Sequence, residues 1–323
     1  MRERVRGKKV LITGATGFIG SHLIEKLANL GAELTLVAPS PGWRPLVVDL
    51  VRQERARFIK RRIYWEPSSP DQIVSDFLGC EYVIHFAYLR PCERTSVLNI
   101  AEDIRLNVLG TARLIQQLPD SVAKICFASS VMVYGNNPPR PVSESDCVCP
   151  ESTYAIGKLA AENYLQEYGR ESGVPVTILR LATVYGPFET VPRAIPNFVR
   201  RVLSGKPPII NGNGTDVRDY VHVSDVVEAT LLALSDENDS PQIFNVGTGI
   251  GYSTNEIAEK VVRLSGRAVN PIHKNTKHAP NQIVCDITRA ETVLGYRPTV
   301  PIDEGITEEI NFLSKNPEFW RMP

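Results

Sequence analysis

The sequence predicts an α/β protein: a doubly wound parallel sheet covered by helices on both faces, followed by a smaller, irregular α/β part. Three observations lead there. Through the first half, short β-rich runs alternate with stretches whose apolar residues recur at helical spacing, the pattern of successive βαβ units. The β-rich runs are almost continuously apolar, as strands buried on both faces are. Near Gly186 the alternation ends and Pro and Gly become frequent.

The elements follow in order. KKVLITG (8–14) reads as a buried strand. SHLIEKLANLG (21–31) has apolar residues at helical spacing and a stop at Gly31. ELTLVA (33–38) is a second strand, and CEYVIHFA (80–87) and AKICFASS (123–130) are later ones, with the helical run IRLNVLGTARLIQQL (104–118) between them. YAIGKLAAENYLQEY (154–168) is a helix and VTILRLATVYG (176–186) a further strand. Beyond it, GPFETVPRAIP and GKPPIINGNG replace regular alternation with short pieces, while 218–246 reads as sheet-associated again. The expected division is therefore 1–178, with a returning segment at about 218–246, and 179–323.

Composition narrows the function. The chain has 323 residues, 36 Lys+Arg and 36 Asp+Glu, so it offers no basic footprint for nucleic acid. A chain of this length buries a large core without disulfides or metals. No apolar run approaches the ~20 residues of a membrane span, and the basic N-terminus runs straight into a glycine motif rather than a signal-peptide core. The six Cys, Cys80, Cys92, Cys126, Cys147, Cys149 and Cys285, show no zinc-site spacing. No metal is expected, and a reducing, cytoplasmic setting is the simplest inference. Residues 41–62 hold a local basic run that includes Arg44, Arg52, Arg55, Arg57 and Lys60. It reads either as a solvated face or as a basic wall near a phosphate.

Three motifs carry chemistry. Thr13-Gly14-Ala15-Thr16-Gly17-Phe18-Ile19-Gly20 sits between a strand and a helix. Glycines there permit a tight turn and close approach of backbone to a pyrophosphate, and the helix N-terminus supplies N–H groups and a favourable dipole. This is the context of a dinucleotide site, so Gly14, Thr16, Gly17, Phe18, Ile19 and Gly20 are candidate cofactor residues. The second motif is Tyr154 with Lys158 four residues on, hence on one helix face. A free phenol titrates near ~10, and a neighbouring ammonium favours the phenolate and makes it a usable base. The third is Ser129-Ser130, hydroxyls at the end of a strand, where ligands of parallel sheets bind. Taken alone, that pair reads equally well as turn-capping serines.

Together these motifs resemble the extended short-chain dehydrogenase/reductases, in the branch of NAD(P)-dependent nucleotide-sugar epimerases and dehydratases such as the UDP-glucose/UDP-galactose 4-epimerases. The resemblance runs over about residues 8–312 and includes His85-Phe86-Ala87, Asn107-Val108-Leu109-Gly110-Thr111, the 179–187 segment, 218–226 and 245–249. It implies a Rossmann-type cofactor domain and a smaller domain for a nucleotide-diphosphate sugar. Tyr154 would be the acid/base, Lys158 would tune it and hold the nicotinamide ribose, and Ser130 would bind the reacting hydroxyl. Ser129, Ala87, Asn107, Glu66 and Pro67 would face the cofactor. Arg218 would clamp the diphosphate, as a planar guanidinium suits, and Thr183, Tyr185 and Pro187 would line the sugar pocket. A homodimer through the helix of Asn107–Leu118 and the helix near Tyr154 is also implied.

Departures from that pattern are informative. Sugar 4,6-dehydratases place carboxylates directly after the strand-end Ser or Thr. Here Val131 and Met132 stand there, and neither can exchange protons. The usual Ser before Lys158 is Gly157, and the usual Asn of the sugar site is Thr183. At the end of the second strand Ala38-Pro39-Ser40 lacks the acid expected of NAD users, so Ser40, Arg44 and the basic run could accept a 2′-phosphate. NAD is the expected cofactor, with NADP open. The leading reading is a C4 epimerase of a nucleotide-diphosphate sugar. The alternatives are an NADPH-dependent reductase of a nucleotide 4-keto-6-deoxysugar and a non-catalytic dinucleotide-binding protein.

Overall fold

Strand β1 (Lys9–Thr13) buries every residue after its first, as a strand covered on both faces must. The computed structural model that holds it describes residues 5–40, 44–60, 77–88, 100–135, 141–189, 191–276 and 281–321. From β1 the chain continues through α1 (Phe18–Asn29), β2 (Glu33–Ala38), α2 (Pro45–Arg52), β3 (Ala56–Lys60) and β4 (Tyr82–His85). Helix α3 (Ile100–Asp103) passes through a π-helical turn (Ile104–Val108) into α4 (Leu109–Ile115). Strand β5 (Lys124–Ser130), a 3-10 turn (Val131–Tyr134), α5 (Thr153–Ser172) and β6 (Val176–Leu181) follow. All residues of β5 and β6 are buried.

After β6 come β7 (Thr183–Tyr185), α6 (Ala194–Leu203), β8 (Ile209–Asn211), β9 (Val217–His222) and α7 (Val223–Ser235). The chain ends through β10 (Gln242–Val246), β11 (Gly251–Ser253), α8 (Thr254–Ser265), β12 (Ile272–Lys274), β13 (Gln282–Ile283) and α9 (Ile302–Lys315).

The large sheet has seven strands in the order β10-β6-β5-β4-β1-β2-β3. β1 pairs in parallel with both β2 and β4, and β5 in parallel with β4. The chain therefore builds outward from β1 in one direction and then returns to build in the other. This creates a topological switch point at the carboxyl ends of β1 and β4, the place where such sheets bind ligands. Its core holds Leu11, Val83, Ile125, Phe127, Ala161, Leu165 and Ile178.

The chain forms two units, 1–135 with 147–180 and 227–244, and 136–146 with 181–226 and 245–323. Of the 218–246 segment expected to rejoin the first unit, residues 227–244 do so. Strand β9 instead pairs with β7, β11 and β13 in a small sheet of the second unit, because its hydrogen-bonding edges are filled there. That unit packs α6, α8 and α9 around Phe198, Val199, Tyr220, Ile257 and Ile306.

Candidate active site

The glycine turn is built as the switch point requires. Gly14 has φ +68°, left-handed backbone that glycine adopts at no steric cost. A Cβ at Gly14 would stand 2.5 Å from the Ala87 nitrogen, and one at Gly20 would stand 2.4 Å from the Gly14 carbonyl oxygen. The turn is thus pressed against the segment that leaves β4, which places Ala87 beside it. Gly17 caps α1 with no side-chain hydrogen bond, so the first-turn N–H groups stay open to an anion. Thr16, Phe18 and Ile19 lie half-buried around that terminus. These residues fit a dinucleotide pyrophosphate: a cradle that any Cβ would fill and an uncapped helix end. Gly14→Val is expected to abolish NAD binding, read by isothermal titration calorimetry.

At the end of β2, Ser40 is exposed. Arg44 does not join it. Its guanidinium turns to α1, where Nη1 donates to Ser21 Oγ (3.2 Å) and Nη2 to Glu25 Oε2 (3.0 Å). Burial lowers the Arg44 pKa, and Glu25 opposes that shift. Ser40 and Arg44 therefore do not come together as a 2′-phosphate site in this structure, because Arg44 is 9% exposed and bonded to Ser21 and Glu25 of α1. Arg52, Arg55, Arg57 and Lys60 are exposed, the last two on edge strand β3, where charge discourages strand addition. Glu66 and Pro67 lie outside the described residues.

A buried chain of hydrogen bonds links β1, β4 and α4. Thr111 Oγ1 donates to the Asn107 carbonyl (2.6 Å) and so can accept from His85 Nε2 (3.0 Å). Thr13 Oγ1 accepts from the Ala87 N–H (3.3 Å) and meets His85 Nδ1 at 2.7 Å. This pattern assigns His85 the neutral tautomer with hydrogen on Nε2. Burial and the Lys158 charge push its pKa down to about 3. Asn107 sits in the π-helical turn, and its Nδ2 donates to Asp103 Oδ1 (2.7 Å). Burial raises the Asp103 pKa, while Asn107 and Lys158 pull it down.

The end of β5 and the start of α5 meet through Lys158. Ser152 caps α5, accepting from the Ala155 N–H, which starts the helix so that Tyr154 falls in its first turn and Lys158 one turn later. Lys158 is 3% exposed and donates from Nζ to the Ala128 carbonyl at 2.5 Å. Two residues on, Ser130 caps the 3-10 turn by accepting from Met132 N–H (3.3 Å), so capping occupies an acceptor lone pair rather than its hydroxyl proton. Val131 is buried in that turn, and α5 packs on it. The structure thus gathers Ser130, Tyr154 and Lys158 on adjoining elements. Ser129 differs from expectation: its hydroxyl donates to Glu162 of α5 rather than facing a cofactor. Glu162 in turn binds Arg180 of β6 through both oxygens, and Arg180 Nη1 donates to Tyr134 Oη (3.0 Å).

Burial pushes the Lys158 ammonium down to about 7 from an ordinary 10.5, against Glu162 and Asp103, which pull it up. The unfolded chain then binds a proton at this residue more tightly than the folded one. Stability of the cofactor-free protein should accordingly rise between about pH 7 and pH 10. In Lys158→Met this contribution disappears, as urea unfolding at several pH values would show.

In the second unit, Thr183 opens β7 half-buried, while Tyr185 and Pro187 are buried. Tyr185 is a core side chain rather than an open wall: its ring packs edge-on against Tyr220 and His222. Arg218 of β9 donates from Nη1 to the Val217 and Asn281 carbonyls (3.1 and 2.9 Å). Burial lowers its pKa, and Asp216 opposes that.

Sequence reasoning missed Asp103, Glu162 and Tyr88. The first two left a signal, since Asp103 and Asn107, like Lys158 and Glu162, are four apart on one helix face. Tyr88 left none. Among the described residues no group of three His, Cys, Asp or Glu side chains could hold a metal ion, and no helix is long and apolar enough to cross a membrane.

Known proteins resemble this chain in sequence and fold. The NAD dependent epimerase/dehydratase family matches residues 10–247. A UDP-glucose 4-epimerase of Mycolicibacterium smegmatis is 33% identical over 311 residues, covering 94% of this chain and 98% of that one. The crystal structure of UDP-glucose 4-epimerase with UDP-glucose from Thermotoga maritima superposes with a TM-score of 0.84 at 31% identity, covering 96% of this chain and 99% of that one. The UDP-glucuronic acid 4-epimerase of Bacillus cereus, in complex with UDP-glucuronic acid and NAD, superposes with a TM-score of 0.83 at 27% identity, covering 95% and 99%. With its glycine turn at the switch point and its Tyr/Lys helix on the end of β5, the chain belongs to the NAD-dependent epimerase/dehydratase family, the extended short-chain dehydrogenase/reductase enzymes.

Proposed function

We propose that the chain epimerises a nucleotide-diphosphate sugar at C4 through a transient 4-keto intermediate, with NAD as the resident cofactor. One observation supports this reading: Lys158, one turn after Tyr154 on α5, anchors on Ala128 of β5 two residues before Ser130, and Val131 and Met132 follow in place of carboxylates. The family and the 4-epimerase relatives support it, and the commitment of Arg44 to α1 supports NAD over NADP.

NAD, held by the glycine turn of Gly14, Gly17 and Gly20, would supply the acceptor and donor for a hydride at C4, exchanged on one face before and on the other after the keto sugar rotates. Tyr154 as phenolate takes the C4 hydroxyl proton and later gives it back. Lys158, fixed by the Ala128 carbonyl, stands one turn from that phenol, favours its phenolate when protonated, and would hold the nicotinamide ribose. Ser130 donates its hydroxyl hydrogen to the C4 oxygen and orients it. The uncapped N-terminus of α1 holds the cofactor pyrophosphate, and Arg218 binds the diphosphate of the sugar nucleotide. Thr183, Tyr185 and Pro187 belong to the segment that shapes the sugar site.

The test is incubation of NAD-loaded protein with UDP-, dTDP- and GDP-hexoses and uronates, followed by chromatography of the products. Interconversion of one C4 pair is expected. No conversion of any of them refutes the reading, and stoichiometric cofactor consumption with a 4-keto sugar would mark a reductase.

The proposed chain is a homodimer, supported by apolar side chains left exposed on adjoining helices: Ile100, Ile104 and Leu109 on α3–α4, and Ile156 and Tyr164 on α5. Large apolar side chains exposed on helices that pack together suit a subunit interface. Light scattering should give twice the chain mass, and Ile104→Glu should shift it toward one chain mass. The five described cysteines are free, in keeping with a cytoplasmic setting.

A further inference from the structure

Tyr88 stands three residues past the end of β4 and reaches both members of the Tyr154–Lys158 pair. Its hydroxyl donates to the Tyr154 carbonyl at 3.0 Å. The Lys158 ammonium lies over its ring, 3.9 Å from the centroid. Its edge meets the Tyr154 ring with centroids 5.1 Å apart and planes at 81°. The space it fills is left open by Gly157: a Cβ there would stand 2.3 Å from the Tyr88 hydroxyl oxygen and 2.8 Å from Asp103 Oδ2. A contact of 2.3 Å is closer than real Cβ atoms come, so a side chain at 157 would push the phenol from its place under Lys158 and on the Tyr154 carbonyl.

We infer that Tyr88 is a positioning residue for Lys158 and Tyr154, and that Gly157 is its obligate partner, present because the phenol occupies the place of a side chain. The inference rests on the proposed roles of Tyr154 and Lys158. Its physical basis is the desolvation of the ammonium. Nζ has one fixed acceptor, the Ala128 carbonyl, and the aromatic face of Tyr88 replaces water on another side. Phe127 offers a second ring at 4.7 Å. The charged and titratable groups facing Lys158 are Asp103 of α3 and Glu162 of α5, which favour the ammonium, neutral His85 at the end of β4, and Tyr88 itself. Removing the ring therefore disfavours the ammonium. With less positive charge beside it, Tyr154 reaches its phenolate form only at higher pH.

Four proteins test this: Tyr88→Phe, Tyr88→Ala, Gly157→Ala and the double variant Tyr88→Ala/Gly157→Ala. In the pH profile of kcat/KM, Tyr88→Ala should move the acidic limb upward by about 0.4 to 1.5 pH units, the span of a cation–π contact. Tyr88→Phe, which keeps the ring, should leave the limb in place. Melting of the NAD-free proteins gives a readout that needs no activity. Gly157→Ala should lower the melting temperature of the otherwise native chain. In the Tyr88→Ala background the same change should be neutral or stabilising, because alanine is the better helix former and only the swinging end of Asp103 remains nearby.

An unmoved acidic limb in Tyr88→Ala, or an equal cost of Gly157→Ala in both backgrounds, overturns the inference. So does tighter NAD binding by Tyr88→Ala, which would mean the ring occupies cofactor space. If the native chain proves inactive on every sugar nucleotide, the proposed function fails, while the melting comparison and NAD titration still decide whether Tyr88 and Gly157 act as a pair.

Discussion

Tyr154→Phe should lower kcat by at least ~100-fold while NAD binding persists. The figure is the usual weight of a positioned general acid/base. The substitution removes one oxygen and leaves the ring in place, so the edge-on contact with Tyr88 survives. The Tyr88 hydroxyl also keeps its acceptor, since it bonds the main-chain carbonyl of residue 154 and not the side chain. Lys158 likewise stays anchored on Ala128. The loss then falls on proton transfer and not on the architecture of α5. Stopped-flow or chromatographic rates, paired with calorimetric NAD titration, separate the two. Activity within a few-fold of native would remove Tyr154 from the chemistry.

The second large effect concerns stability. Glu162 is fully buried and Arg180 is 4% exposed. The carboxylate receives the Arg180 Nε and Nη2 and the Ser129 hydroxyl, so it ties β5, β6 and α5 together behind the Tyr/Lys pair. Glu162→Leu leaves a buried guanidinium with Tyr134 Oη as its remaining acceptor among the described residues. Stripping one partner from a buried pair costs about 3–5 kcal/mol, and urea unfolding of the NAD-free protein should register a loss of that size. Replacing both partners with apolar residues removes the stranded charge, so Glu162→Leu/Arg180→Leu should recover much of it. A loss under about 1 kcal/mol in the single variant would show that the network is not what fixes α5 on the sheet.

How far the sequence told this in advance depends on the kind of signal. The βαβ alternation and the glycine turn are local, and β1, α1, β2, β4, β5, α5 and β6 fall where periodicity places them. The candidate triad was legible because Tyr154 and Lys158 share one helix face and Ser130 ends a strand. Contacts between elements distant in sequence were not. Nothing near Arg44 says that it bonds Ser21 and Glu25, more than eighteen residues earlier, and so leaves Ser40 alone. Nothing around Ser129 says that Glu162 claims its hydroxyl. The segment 218–246 reads as sheet-associated, but only the pairing of β9 with β7, β11 and β13 reveals which sheet its first residues join. Tyr88 looks like an ordinary residue of a loop until its ring is seen beneath the Lys158 ammonium.

Transient oxidation at C4 leaves an isotopic record, and proton NMR of the sugar nucleotide turned over in deuterium oxide reads it directly. The account predicts that the C4 configuration interconverts while the hydrogen on C4 remains protium, because it travels as hydride and never mixes with solvent. Deuterium appearing at C4 would mean that a base removes the carbon-bound proton itself, and would contradict the account.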